Sequence, residues 1–105
     1  MNWIFDAHIH LSDPEYQSEI PLIIESMNKQ NIKACCVSMD LDTCQSTMKL
    51  SQQSKNILPF LGIHPENAQD DPKLVYEMIN ENQSKISGIG EIGLDRTYIK
   101  SEDEW

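Results

Sequence analysis

The stretch Trp3 to Leu11 (WIFDAHIHL) is short and apolar-rich, with β-branched and aromatic members, and predicts a buried strand. The polar run behind it gives way to Ile20, Ile23, Ile24 and Met27, a spacing that lines one face of a helix. Ser18 is the expected cap, Pro21 fits the first turn, and Asn31 suits a left-handed final residue. Ile32 to Met39 (IKACCVSM) predicts a second strand. Asp42, with Gln45 three residues on, resembles a capping pair for a second helix running through Ser54, with Asn56 at its end. Ile57 to Ile63 (ILPFLGI) predicts a third strand, although Pro59 removes one ladder donor. Asp71 and Pro72 open a third helix whose buried stripe is Leu74, Val75, Met78 and Ile79. Ser87 to Leu94 (SGIGEIGL) predicts a fourth strand, glycine-rich where close backbone approach is needed.

Strands alternating with one-sided helices predict an α/β protein of parallel βα units with right-handed crossovers. Past Asp95 the chain turns polar, and Ser101 with Glu102, Asp103 and Glu104 predicts the first turn of another helix. No linker or low-complexity segment divides residues 1–105, which are expected to form one unit. A closed (β/α)8 barrel takes about 250 residues, so a barrel reading of these strands leaves room for only part of one.

Composition changes the picture in two ways. With 17 acidic against 8 basic side chains, the formal charge of −9 argues against a free-standing nucleic-acid binder, which needs a basic footprint. It leaves a metal-centred site open, because bound cations bring their own positive charge. The apolar stretches are too short for a membrane span and no signal core opens the chain, so a cytoplasmic protein is expected. The three cysteines lack ligand spacing, with Cys35 and Cys36 adjacent, and are expected as buried thiols rather than a disulfide framework or zinc finger.

Strict alternation along the first strand puts Ile4, Asp6, His8 and His10 on one face. Two imidazoles two residues apart near the C-terminal end of a strand can reach the same divalent cation. Asp6, one step deeper, is placed to hold an imidazole tautomer from behind. Glu91 stands among Ile89, Ile92 and Leu94, where a carboxylate is costly to bury unless it meets a cation or hydrogen-bond donors. Asp95 shares its parity and either reaches the same mouth of the sheet or caps the next turn. His64 follows the third strand, on a loop of the kind that builds sites in parallel barrels.

FDAHIHL at Phe5 to Leu11, GIHP at Gly62 to Pro65 and GIGEIGLD at Gly88 to Asp95 resemble, in order and spacing, three N-terminal signatures of the TatD family of metal-dependent hydrolases and deoxyribonucleases. The resemblance implies the N-terminal half of a TIM-type barrel, strands one to four, with a one- or two-metal site at the strand C-termini. It implies that His8 and His10 bind one divalent ion (Zn, Mg or Mn) and that Glu91, the catalytic carboxylate, bridges toward a second. It further implies that His64 lines the substrate pocket, that Asp6 and Asp95 support the ligands, and that DNA is the substrate. Ser12 stands where the family usually has aspartate, and Arg96 where it usually has an aromatic residue. The family's later ligands, two histidines and an aspartate, do not occur before Trp105, so the chain is expected to be a fragment of a longer enzyme.

The resulting expectation is a metal-dependent phosphodiesterase acting on DNA at full length. The rivals are another amidohydrolase-like metal hydrolase, or an inactive metal-binding half-barrel. By itself the 105-residue chain is expected to self-associate through its open strand edge and to show no nuclease turnover.

Overall fold

A computed structural model describes residues 2–98; the helix start expected at Ser101 lies outside the described residues. The strands β1 (Ile4–Ile9), β2 (Ile32–Cys36), β3 (Ile57–Leu61) and β4 (Gly88–Ile89) are all parallel and lie in the order β1-β2-β3-β4. The helices α1 (Ile20–Gln30), α2 (Leu41–Ser51) and α3 (Pro72–Glu81) cover one face of this sheet. The architecture is the half-barrel that alternating βα units imply, the N-terminal half of a TIM-type barrel.

Burial explains which face is covered. Ala34 and Cys36 of β2 join Leu11, Ile20, Met27, Leu50 and Ile57 in one cluster, and Leu61 of β3 joins Cys44, Met48 and Val75 in a second. Burying a side chain such as Ile57 or Leu61 contributes roughly 1.5–3 kcal/mol. Phe5, Lys33, Cys35, Leu58 and Phe60 alternate onto the opposite, concave face, which the described residues leave open. Gly88 belongs to that face, where a Cβ would lie 2.6 Å from the Phe60 ring. Pro59 is tolerated because its side of β3 faces β4, whose ladder begins one residue after Ser87 donates to the Pro59 carbonyl.

Several element ends differ from the sequence-based expectation. Ser18 caps nothing: Asp13 accepts from the Glu15 N–H to open a 3-10 turn over Pro14–Glu19, and α1 continues directly from that turn. Asn31 does close α1 in the left-handed region, at φ 57°. The capping pair of α2 is Asp40 with Thr43, not Asp42 with Gln45, because β2 ends at Cys36 and the helix begins sooner. That helix stops at Ser51, and Asn56 instead accepts from the Ala34 N–H and donates through its side chain to Asn28. In α3, Val75 is buried and Met78 and Ile79 pack beside it, whereas Leu74, at the margin of the stripe, is 52% exposed. Strand β4 is two residues long rather than eight, since the chain makes its last bond to β3 from Gly90 and leaves the ladder at Glu91.

Cys36 and Cys44 are buried, Cys35 is half-buried, and all three are free thiols. Among the described residues no helix is long and apolar enough to cross a membrane.

Candidate metal centre

The site forms where β1 and the segment after β4 meet at the C-terminal ends of the strands. Gly90 donates to the Leu61 carbonyl at 2.9 Å, and the Glu91 N–H then reaches past β3 to the Ser38 carbonyl at 3.1 Å. The crossing needs a glycine beneath it, because a Cβ on Gly62 would lie 2.6 Å from the Glu91 carbonyl oxygen. Ser38 is itself fixed by a buried hydrogen bond from its hydroxyl to Thr47 of α2, 3.1 Å long. Neither Gly62 nor Ser38 was singled out as a site residue in the sequence; the only signal was the glycine of GIHP.

These bonds deliver Glu91 to the two imidazoles. Its Oε1 lies 2.5 Å from His8 Nε2 and 3.6 Å from His10 Nε2, and the two Nε2 atoms are 3.3 Å apart. Two nitrogens on one tetrahedral cation, each at about 2.0–2.1 Å, are separated by roughly that distance. The three ligand atoms lie within 4.8 Å of one another. Glu91 Oε2 is buried and has no hydrogen-bond partner among the described residues, a costly state for a carboxylate oxygen that an adjacent cation would relieve. The donor set therefore fits a divalent ion.

His64 stands beside this group, its Nε2 3.7 Å from Glu91 Oε2. Its Nδ1 accepts from the Glu66 N–H at 3.1 Å, capping the 3-10 turn Pro65–Asn67. In the neutral ring the proton must then sit on Nε2, making the inner nitrogen a donor rather than a ligand. Tyr98, absent from the sequence-based set, packs edge-on against this ring with centroids 5.4 Å apart. Its signal was faint: an aromatic three residues beyond the GLD triplet, with Arg96 where the aromatic was expected.

Asp6 and Asp95 do not join the ligand group. Asp95 accepts from the Thr97 hydroxyl at 2.7 Å and, with less effect, from the Thr97 N–H at 2.9 Å; these hold its carboxyl below the usual range, with a smaller contribution from His64. The Asp6 carboxylate accepts from the His8 main-chain N–H at 3.1 Å rather than from an imidazole.

A parallel half-barrel with imidazoles and a carboxylate converging at its strand C-termini has the layout of TIM-barrel proteins that carry a metal at the barrel mouth. Comparison with known families makes the assignment specific: the profile of the TatD related DNase family matches residues 5–105, and the chain belongs to that family. It is 33% identical over 101 residues to an uncharacterized metal-dependent hydrolase of Methanocaldococcus jannaschii, covering 93% of this chain and 39% of that protein. Another uncharacterized metal-dependent hydrolase, from Mycoplasma genitalium, is 34% identical over 100 residues, covering 90% and 38%. Deoxyribonuclease TATDN3 of Homo sapiens is 28% identical over 104 residues, covering 88% and 38%. The chain thus spans less than half the length of these relatives.

Proposed function

We propose that the chain supplies the first half of the active site of a metal-dependent phosphodiesterase that acts on DNA. The observation that carries this reading is the convergence of His8 Nε2, His10 Nε2 and Glu91 Oε1 beside a buried Glu91 Oε2 that has no hydrogen-bond partner among the described residues. His8 and His10 would hold one divalent ion. Glu91 would share it and present Oε2 toward a second. Such ions, when bound, lower the pKa of a water and stabilise charge on phosphoryl oxygens. The chain's own part is to fix the donors: Ser38 and Leu61 hold the main chain at Glu91, and the Glu66 main-chain N–H occupies His64 Nδ1, which in the neutral ring leaves the N–H on Nε2. His64 Nε2–H is then placed to donate to a phosphate oxygen next to Glu91. The relatives named for deoxyribonuclease activity support the choice of DNA. The acidic balance fits a substrate gripped through cations rather than through a basic surface.

Calorimetric titration with Zn2+ tests the site. The chain is expected to bind the ion, and His10→Ala and Glu91→Gln are each expected to weaken binding by about tenfold or more. Equal zinc content in the wild type and both variants would overturn the assignment. Chelator-sensitive DNA cleavage is expected once the later strands are supplied, for instance as the corresponding segment of the Methanocaldococcus jannaschii relative.

A further inference from the structure

The main chain of β1 does not run evenly past β2. Asp6 pairs with Ala34 and Ile9 with Cys36, so three steps on β1 match two on β2. The ladder slips here by one residue in the manner of a β-bulge, and in a structure with period-2 side chains such a slip decides faces. Asp6 and Ile9 share the helix-covered side with Ala34 and Cys36, and both help line a groove of about 400 Å3 against Met27 and Ile32. Without the extra residue His8 would pair with Cys36, and both imidazoles would point at the helices. With it, His8 and His10 turn to the concave side and meet Glu91.

A bulge leaves one main-chain donor without its ladder partner. Here the Asp6 carboxylate accepts from the His8 N–H, across the irregular step itself. We propose that Asp6 is a positioning residue acting through the main chain: its side-chain oxygen stabilises the bulge that brings His8 and His10 onto the concave face. This rests on the reading that the two imidazoles and Glu91 hold a divalent ion, and it differs from a role for Asp6 as a charged partner of an imidazole. A main-chain acceptor needs an oxygen at that position but no charge.

The two roles part at Asp6→Asn, which keeps the oxygen and removes the charge. In the metal-free chain, hydrogen exchange at the His8 amide is expected to stay slow in Asp6→Asn and to accelerate in Asp6→Ala. In Co2+ titrations followed by visible absorption, Asp6→Asn is expected to stay within about threefold of the wild-type affinity, and Asp6→Ala to fall by about tenfold or more. Affinity in Asp6→Asn as poor as in Asp6→Ala, or an unchanged His8 amide in Asp6→Ala, would overturn the proposal. If Asp6→Ala fails to fold, Asp6→Asn alone decides: retained affinity and protection support the main-chain role, and their loss refutes it. A wild-type chain that binds no Co2+ would sink the metal reading instead, while amide exchange would still decide what Asp6 does.

Discussion

At the scale of single residues the covered side of the sheet is dry enough to change acid–base behaviour. The Cys36 thiol is pushed up from 9.0 to about 12, by burial first and then by the neighbouring charges of Cys35 and Asp6, and Cys44 is raised by burial as well. The folded chain therefore keeps a proton that the unfolded chain releases. The stability tied to that proton is fully present below pH 9 and is lost as the pH climbs from about 9 toward 12. Urea midpoints should fall over that window, and Cys36→Ala should flatten the fall; equal slopes in both proteins would show that the thiol is not the cause. Free, buried thiols were legible from composition and spacing at Cys36 and Cys44, whereas Cys35 is only half-buried. The grouping of His8, His10 and Glu91 was legible too, and the structure brings their ligand atoms together. The side of β1 that Asp6 occupies was not, because parity presumes an unbroken ladder and the extra residue near Ala7 carries no mark in the text.

Among the elements, α2 carries the clearest test. Thr43 donates its N–H to Asp40 Oδ1 at 2.9 Å, and the Thr43 hydroxyl oxygen accepts from the Asp40 N–H at 3.0 Å, closing a reciprocal box. Asp40→Ala should cost about 1 kcal/mol of stability in urea denaturation. Asp42→Ala, one position into the helix proper, should stay within about 0.5 kcal/mol. The reverse ranking would show that the helix starts where the sequence pattern put it. The existence and order of the helices followed from apolar periodicity, which is a property of whole faces. Their starts did not, since Asp40 and Asp42 are equally good caps on paper and only the length of β2 separates them. Strand β4 was overestimated for a related reason: Ile92 and Leu94 keep strand-like spacing, yet both are well exposed beyond the point where Glu91 leaves the ladder.

For the molecule as a whole, the alternation of strand and helix made the half-barrel legible, and the comparison with longer relatives agrees with it. What alternation does not convey is how much apolar surface the four strands leave uncovered. Ile4 and Phe5 on β1, and Ile89, Ile92 and Leu94 at the other edge, are all about half exposed or more. Open parallel edges flanked by such side chains favour strand-to-strand association. The 105-residue chain is accordingly expected to sediment as dimers or larger species, and Ile4→Lys with Phe5→Lys should shift it toward monomer. A wild type that stays monomeric at tens of micromolar would refute this. The sheet order carries one more implication. β1 and β4 are its outermost strands, yet His8 touches Glu91. A flat sheet would hold those strands three positions apart, with β2 and β3 between them, so the contact works as a string across a bow. Tying it spans a loop on the order of eighty residues, an entropic cost that grows only slowly with length. Whatever tightens the string, a shared cation above all, keeps the bow bent, and the curvature that makes this sheet part of a barrel is then maintained from its mouth.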